Sequence, residues 1–283
     1  MLLYFNGDSF TAGTELADDM LPGYPGLLTW PTGSAQHEKH KAWLQNAHAT
    51  CPVKRDKMKE IESLEFKRAF PNKIAELTGI NIINKAMAGT SMDHIIRNSM
   101  VDLYNLKKEN PNENIVALVG TTYPIRREVA NDTPDRIDRH LRSQDWICVS
   151  GIYSIAGESE YIRNMRKYQI MYDTQYHHLV NYYKNIVLLQ DFCRLNEITL
   201  RWVATFDNVL TDYWPMIGYE SRPDINMLME YAKLEYIVDM KKILETEFTD
   251  QLVICPGGHF AEPIHQRVAE EILRILRHDN IID

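Results

Sequence analysis

The stretch YFNGDSFTAG, residues 4–13, sets an aspartate and a serine between two glycines, directly after an apolar run that begins at the first residue. A short apolar run of this kind is typical of a strand that is buried on both faces of a parallel sheet. Asp8, Ser9 and Gly13 are residue types that favour turns. The segment therefore predicts a buried first strand and a turn that presents Ser9, with its backbone N–H directed into the crevice at the sheet edge.

Short apolar segments and longer helical segments alternate along the rest of the chain. This pattern predicts a three-layer α/β/α sandwich around a five-stranded, mainly parallel sheet. The predicted strands are Leu2–Asn6, Ile80–Asn84, Ile115–Val119, Ile198–Thr205 and Leu252–Cys255. The predicted helical stretches are Glu65–Leu77, His94–Leu106, Asn164–Asn196, Met227–Thr246 and Pro263–Arg277.

The composition describes an ordinary globular protein of 283 residues, 45% of them hydrophobic, which is ample for a sizeable core. A formal net charge of -8 disfavours nucleic acid and anionic membranes as partners, because an acidic field repels polyanions. The four cysteines are widely spaced and form no Cys-x-x-Cys pair, so reduced thiols are expected. Without a signal peptide or an apolar run of about 18 residues, we expect a soluble, cytoplasmic protein.

Two intervals, at about residues 15–63 and 123–160, are far longer than ordinary connections between a strand and a helix. Each begins where a predicted strand ends, and ligands bind at that carboxyl edge in open α/β sheets. We therefore predict one domain over residues 1–283, with both intervals inserted over the ligand-binding edge. A surface extension remote from the site is the alternative.

Three segments resemble the sequence blocks of GDSL/SGNH hydrolases. GDSFTAG resembles the first block, whose serine is the nucleophile, and that position is Ser9. NKAMAGTS resembles the second, whose glycine donates a backbone N–H to the oxyanion, and that position is Gly89. GGHFAEPIH resembles the last, which carries the catalytic histidine, here His259, and a second histidine, here His265. The blocks span essentially the whole chain and imply the SGNH fold, which is flavodoxin-like in layout.

The third block departs from the family pattern. The family has Gly-x-Asn-Asp after the third strand, and the asparagine side chain completes the oxyanion hole. This chain has Thr122 in the asparagine position and Tyr123 in the next. A threonine hydroxyl can donate one hydrogen bond but is shorter than an amide. The resemblance implies an oxyanion hole formed by the backbone N–H groups of Ser9 and Gly89 together with Thr122.

The acid of the family's last block is also missing. It normally lies three residues before the histidine, where this chain has Pro256. The backbone carbonyl of Pro256 could accept a hydrogen bond from Nδ1 and orient the ring, which would leave a Ser–His dyad. A carboxylate from elsewhere, such as Asp207 or Glu262, is the other possibility.

The resemblance implies a serine hydrolase that cleaves a small ester or an acylated carbohydrate through a covalent acyl-enzyme, with Ser9 as nucleophile and His259 as base. It implies no metal or cofactor. Tyr123 and Arg126 are candidates for substrate binding, although Arg126 and Arg127 could instead be surface charges paired with Glu128. The competing function is a binding or structural protein that keeps the fold while its site decays. Divergent relatives without signal peptides are similar to some bacteriophage proteins, which leaves a phage origin open.

Three other features have simpler interpretations. Asp8 is next to the nucleophile but should point to the opposite face of the strand, so a structural role is predicted. His265 is predicted to pack on the last helix. The residues His37, His40, His48 and Cys51 could hold zinc by their spacing, although a solvated insertion is favoured.

Overall fold

The computed structural model describes residues 1–21, 24, 43, 58–130, 146–150, 160, 163–164, 167–168, 174–205, 222–232, 234–248, 254–255 and 259–282. Its main sheet has five parallel strands in the order β2-β1-β3-β6-β7. These strands are β1 (Leu2–Asn6), β2 (Asn81–Asn84), β3 (Ile115–Gly120), β6 (Thr199–Ala204) and β7 (Tyr236–Asp239). A separate antiparallel pair consists of β4 (Arg126–Ala130) and β5 (Trp146–Ser150).

Helices cover both faces of the main sheet. They are α1 (Ser9–Ala12), α2 (Met58–Arg68), α3 (Phe70–Thr78), α4 (Met92–Glu109), α5 (Gln175–Leu195), α6 (Pro223–Ala232), α7 (Met240–Glu247) and α8 (Glu262–His278). Leu3 and Phe5 of β1 pack into a core shared with α3, α7 and α8. Tyr4 points the other way into a core shared with α4, α5 and α6. Alternate side chains of one strand thus enter two cores, which confirms the three-layer sandwich.

The strand order places a crevice at the end of β1. From β1 the chain crosses to β2 on one side and then returns past β1 to β3 on the other. This reversal opens a gap between the connections that leave β1 and β3, and ligands bind at such a switch point. Ser9 lies immediately beyond the end of β1. The topology therefore delivers Ser9 to the binding edge of the sheet.

Four of the predicted strands are confirmed; of the fifth, Leu252–Cys255, only Ile254 and Cys255 lie within the described residues, and they are not part of the main sheet. Among the described residues near Leu252–Cys255, Ile254 forms an isolated antiparallel bridge to Phe260 and does not join the sheet. The fifth strand is β7, inside a stretch predicted to be one helix. Its Ile237 and Val238 are β-branched and favour a strand, yet the short run is flanked by helical sequence on both sides. Periodicity over a long window conceals a strand of this length.

The proposed insertions are described only in part. The second contains the β4–β5 pair, whereas most of the first, including His37, His40, His48 and Cys51, lies outside the described residues. Within the described part of the chain, no cluster of three or more His, Cys, Asp or Glu side chains is arranged to hold a metal. None of the described helices combines the length and apolar composition that crossing a bilayer requires.

Candidate active site

Ser9 is the first residue of α1, in the turn that follows β1. Asp8 is the N-cap of this helix, and its Oδ1 accepts a hydrogen bond from the backbone N–H of Phe10 at 3.1 Å. The helix ends after one turn at Gly13, which adopts a left-handed conformation with φ of 76°. The Ser9 side chain is thereby held by local backbone structure.

His259 faces Ser9 from the other end of the chain. Its Nε2 lies 2.8 Å from Ser9 Oγ, a hydrogen-bond distance. The backbone N–H of Cys255 donates to the carbonyl oxygen of His259 at 2.7 Å, which closes the loop before α8. The ring also packs against Phe10, with ring centroids 4.9 Å apart. The structure thus brings together the two residues that the first and last blocks indicated.

A carboxylate that the sequence analysis missed lies on the far side of the imidazole. Oε1 of Glu15 is 3.3 Å from Nδ1 of His259, within ion-pairing distance. The contact does not have hydrogen-bond geometry, and Nδ1 has no other hydrogen-bond partner among the described residues. Glu15 is buried, with 5% of its surface exposed. Ser9, His259 and Glu15 therefore lie in series, with the imidazole between a hydroxyl and a carboxylate.

The position of Glu15 is set by contacts of its main chain. Its φ of 74° is unusual for a residue other than glycine and turns the chain back toward the histidine. The backbone N–H of Glu15 donates to Oε1 of Glu65 on α2 at 2.7 Å. One turn later on the same helix, Arg68 donates to the carbonyl oxygen of Leu16 at 2.5 Å. Helix α2 thus clamps the turn that carries the acid.

Glu262, one of the two acids considered from sequence, does not take this place. The Glu262 carboxylate contacts two other side chains: its Oε1 accepts a hydrogen bond from Lys73 Nζ at 2.7 Å, and its Oε2 lies 3.8 Å from Arg68 Nε. Asp207 and Pro256 lie outside the described residues. No local motif could have indicated Glu15, since its role depends on a positive φ and on a distant helix.

The expected oxyanion donors lie at the ends of neighbouring strands. Gly89 has a left-handed φ of 77°, in the turn before α4. The backbone N–H groups of Ser9 and Gly89 donate no hydrogen bond to any described residue. Gly120 must be glycine, because a Cβ there would lie 2.4 Å from Thr11 Oγ1 and 2.7 Å from Thr205 Cγ2. This close packing draws the ends of β1 and β3 together, with Thr122 just beyond β3.

Arg126, a candidate substrate-binding residue, is partly buried at the same edge. Its Nη1 donates to Thr122 Oγ1 at 3.0 Å and to the Thr90 carbonyl oxygen at 3.3 Å. Nη1 also lies 3.6 Å from Asp8 Oδ2, and the guanidinium carbon is 5.4 Å from the centroid of the Tyr123 ring. The alternative that Arg126 pairs with Glu128 on the surface is wrong.

Glu128 instead belongs to a partly buried cluster that links β4 to α4. Its carboxylate lies 2.7 Å from His94 Nδ1 and 3.0 Å from Arg97 Nη2. Its backbone N–H donates to Asp93 Oδ2 at 3.2 Å. Arg127 is 3.9 Å from the same Asp93 oxygen. These contacts hold the start of β4, and with it Arg126, beside the crevice.

Asp8 and His265 have structural roles, as predicted. Asp8 caps α1, and its Oδ1 also accepts from Thr205 at 3.4 Å. His265 is buried on α8, where its Nδ1 accepts from the backbone N–H of Phe70 at 3.2 Å. Burial lowers the pKa of His265 to about 3, and the nearby charges of Lys73 and His259 act in the same direction. His265 is therefore neutral, and its ring is held against the start of α3.

No family model and no curated protein matches the chain. Among solved structures, it is similar to a lipolytic protein of the G-D-S-L family from Desulfitobacterium hafniense, with a TM-score of 0.45 and 11% identity over 97% of this chain and 99% of that one. A G-D-S-L family member from Veillonella parvula has a TM-score of 0.44 and 10% identity, with 98% of each chain covered. Esterase EstA from Pseudoalteromonas sp. has a TM-score of 0.40 and 11% identity, with 99% of each chain covered. Similarity at this level assigns no activity, so the roles of residues rest on the geometry of this chain.

Proposed function

We propose that the protein is a serine hydrolase that cleaves a small carboxylic ester, with Ser9 as nucleophile, His259 as general base and Glu15 as the acid that orients the imidazole. The observation that carries this proposal is the distance of 2.8 Å between Ser9 Oγ and His259 Nε2. These atoms belong to residues at opposite ends of the sequence, and a nucleophile within hydrogen-bond reach of a base is the arrangement that acyl transfer needs.

The reaction begins when His259 Nε2 takes the proton of Ser9 as Oγ attacks the ester carbonyl carbon. The carbonyl oxygen becomes an oxyanion, and we assign its stabilisation to the backbone N–H groups of Ser9 and Gly89 and to the Thr122 hydroxyl. The tetrahedral intermediate then expels the alcohol, which receives its proton from His259. An acyl ester of Ser9 remains.

Water completes the cycle by the same steps. His259 removes a proton from the water, the resulting hydroxide attacks the acyl carbon, and Ser9 Oγ leaves with the proton that His259 returns. During both steps the carboxylate of Glu15 stabilises the imidazolium. This chemistry requires no metal or redox group. The substrate class that we propose is a small ester or an acylated carbohydrate, with Tyr123 and Arg126 as candidate binding residues at the carboxyl edge of the sheet.

The test compares wild type with Ser9→Ala and His259→Ala in the hydrolysis of p-nitrophenyl acetate and in labelling by a fluorophosphonate probe. We expect wild type to hydrolyse the ester and to carry the label on Ser9, and both variants to lose each property. A wild-type protein that neither hydrolyses nor labels, yet is folded by circular dichroism, would favour the competing function of a binding protein.

A further inference from the structure

The oxyanion side of the crevice contains a cation that the proposed mechanism has not yet used. Thr122 stands where the resemblance implies an asparagine, and its hydroxyl is buried, with 2% of the residue exposed. The Oγ1 atom accepts a hydrogen bond from Arg126 Nη1 at 3.0 Å. Since a hydroxyl has a single proton, a donor on its lone pair leaves that proton free to point elsewhere.

Arg126 joins three chain segments that converge around the nucleophile. Its Nη1 is 3.6 Å from Oδ2 of Asp8, the residue before Ser9, and 3.3 Å from the carbonyl oxygen of Thr90, the residue after Gly89. Its third contact, Thr122, follows β3. The guanidinium therefore contacts the residue before Ser9, the residue after Gly89 and Thr122 itself, and the Arg126 side chain is 17% exposed.

The strands that lead to Ser9 and Thr122 are adjacent, and their backbones approach closely at the carboxyl ends. Asn6 of β1 pairs with Val119 of β3, so Gly7 and Gly120 are the next residues on each strand. A Cβ on Gly7 would lie 3.3 Å from the Gly120 Cα, which shows how closely the two backbones approach. Ser9 and Thr122 each lie two residues beyond these glycines.

We propose that Arg126 is a positioning residue for the oxyanion hole: it occupies the acceptor side of the Thr122 hydroxyl, directs the hydroxyl proton into the crevice and strengthens it as a donor. A hydrogen bond from a cation polarises the hydroxyl that accepts it, so the Arg126–Thr122 pair replaces the amide of the family's asparagine. This inference rests on the proposed function of Ser9.

Arg126 is also the counter-ion of Asp8, and an experiment must separate the two roles. Asp8 is fully buried, and its Oδ2 accepts no hydrogen bond from any described residue. Removing the guanidinium alone would leave this carboxylate buried without a cation and would destabilise the fold. The double variant Asp8→Asn/Arg126→Gln removes both charges together, and Asp8→Asn alone provides its reference.

The experiment measures kcat and KM for p-nitrophenyl acetate, which carries no charge for Arg126 to recognise. Relative to Asp8→Asn, we expect Asp8→Asn/Arg126→Gln to lose about 10- to 100-fold in kcat with little change in KM. Thr122→Val removes the hydroxyl with its shape preserved, and we expect a loss of about 100-fold. Thr122→Ser keeps the hydroxyl and should lose less. Adding Thr122→Val to the double variant should lower kcat almost no further, because both changes disable the same hydrogen-bond donor.

Three results would overturn the proposal. If Asp8→Asn/Arg126→Gln retains the kcat of Asp8→Asn, the guanidinium is a counter-ion alone. If the losses of Thr122→Val and the double variant multiply, Arg126 does not act through Thr122. If the double variant changes only the KM of an ester with a carboxylate, Arg126 binds substrate. An inert wild type, in hydrolysis and in fluorophosphonate labelling, is the separate outcome in which the function of Ser9 fails and this inference fails with it.

Discussion

Glu15 and His259 face each other across the imidazole ring: Oε1 of Glu15 lies 3.3 Å from Nδ1, on the side opposite Ser9. Glu15, the proposed acid, lies six residues after Ser9, the proposed nucleophile, whereas the resemblance places the acid just before the histidine. One short segment, residues 9–15, thus carries both side chains that flank the imidazole. The missing aspartate of the last block does not leave the histidine without a carboxylate.

The first prediction concerns the charge of Glu15. Glu15→Gln keeps the shape of the side chain but can no longer stabilise an imidazolium, so we expect kcat for p-nitrophenyl acetate to fall about 100- to 10,000-fold with KM little changed. The long contact in the free protein does not argue against this, since such contacts tighten when substrate binds. Steady-state kinetics measures the effect.

Glu262→Gln is the matched control for Glu15→Gln. Its carboxylate, at the start of α8, contacts Lys73 and Arg68 and does not face the imidazole. We expect its kcat to stay far above that of Glu15→Gln. Equal losses in the two variants would show that general destabilisation, and not the acid, accounts for the effect.

The second prediction compares two glycines that have similar left-handed φ angles. Gly89 and Gly79 have φ of 77° and 70°, and an added Cβ would meet no atom of the described residues within 4 Å at either position. Alanine should therefore cost each protein about 1–2 kcal/mol of backbone strain, without a steric clash. Gly89→Ala shifts a proposed oxyanion donor, while Gly79→Ala changes the end of α3.

We expect the two alanine variants to have similar melting temperatures but different kcat values, with Gly89→Ala the slower by about 10-fold or more. Thermal unfolding and ester hydrolysis are measured on the same samples. If both variants hydrolyse the ester equally well, the N–H of Gly89 does not serve the reaction.

The sequence predicted the sheet where each apolar run was bounded by turn residues. The limits of β1 agree with the predicted Leu2–Asn6, because a continuous apolar run ends there at Asn6 and Gly7. The sequence-based prediction missed β7, because its four residues lie between two helices and hydrophobic periodicity could not distinguish the strand from the helices. Strands could therefore be predicted from local composition, except where helical sequence on both sides concealed a short strand.

The candidate site was predictable to the extent that its residues follow strands directly. Ser9 lies next to a strand end, where topology alone determines the position. Glu15 and Arg126 were harder, because their roles come from contacts with α2 and with the ends of two strands. Such contacts depend on the folding of long connections, and no residue pattern within either connection encodes them.

The third prediction concerns the cluster that fixes β4. Glu128 has 3% of its side chain exposed and binds both His94 and Arg97. Glu128→Ala leaves these partners without their carboxylate, and we expect the free energy of unfolding to fall by about 3 kcal/mol, at the lower end for buried pairs because Arg97 is 37% exposed. Since Arg126 lies on the same strand, kcat should fall as well.

Glu271→Ala provides the surface control for Glu128→Ala. Glu271 pairs with Arg274, which is 64% exposed, so its removal should cost less than about 1 kcal/mol. Urea unfolding gives both values. A Glu128→Ala protein as stable as Glu271→Ala would mean that the cluster does not hold the hairpin in solution.

The last prediction uses the buried imidazole of His265. Burial lowers its pKa to about 3, so the folded protein keeps this side chain neutral, whereas the unfolded chain protonates it near its ordinary value of about 6.5. Between these values the unfolded state binds more protons, and the free energy of unfolding therefore falls as the pH drops. His265 alone should lower the free energy of unfolding by about 2 kcal/mol between pH 8 and pH 5.

The variant His265→Asn tests this prediction, because asparagine does not titrate. Urea unfolding gives the free energy of unfolding of both proteins, and the wild-type value should fall by about 2 kcal/mol relative to the variant between pH 8 and pH 5. Carboxylates and the neighbouring Lys73 and His259 are present in both proteins, and their contribution cancels to first order. Two stability curves that stay parallel from pH 8 to pH 5 would show that His265 is not held neutral by burial.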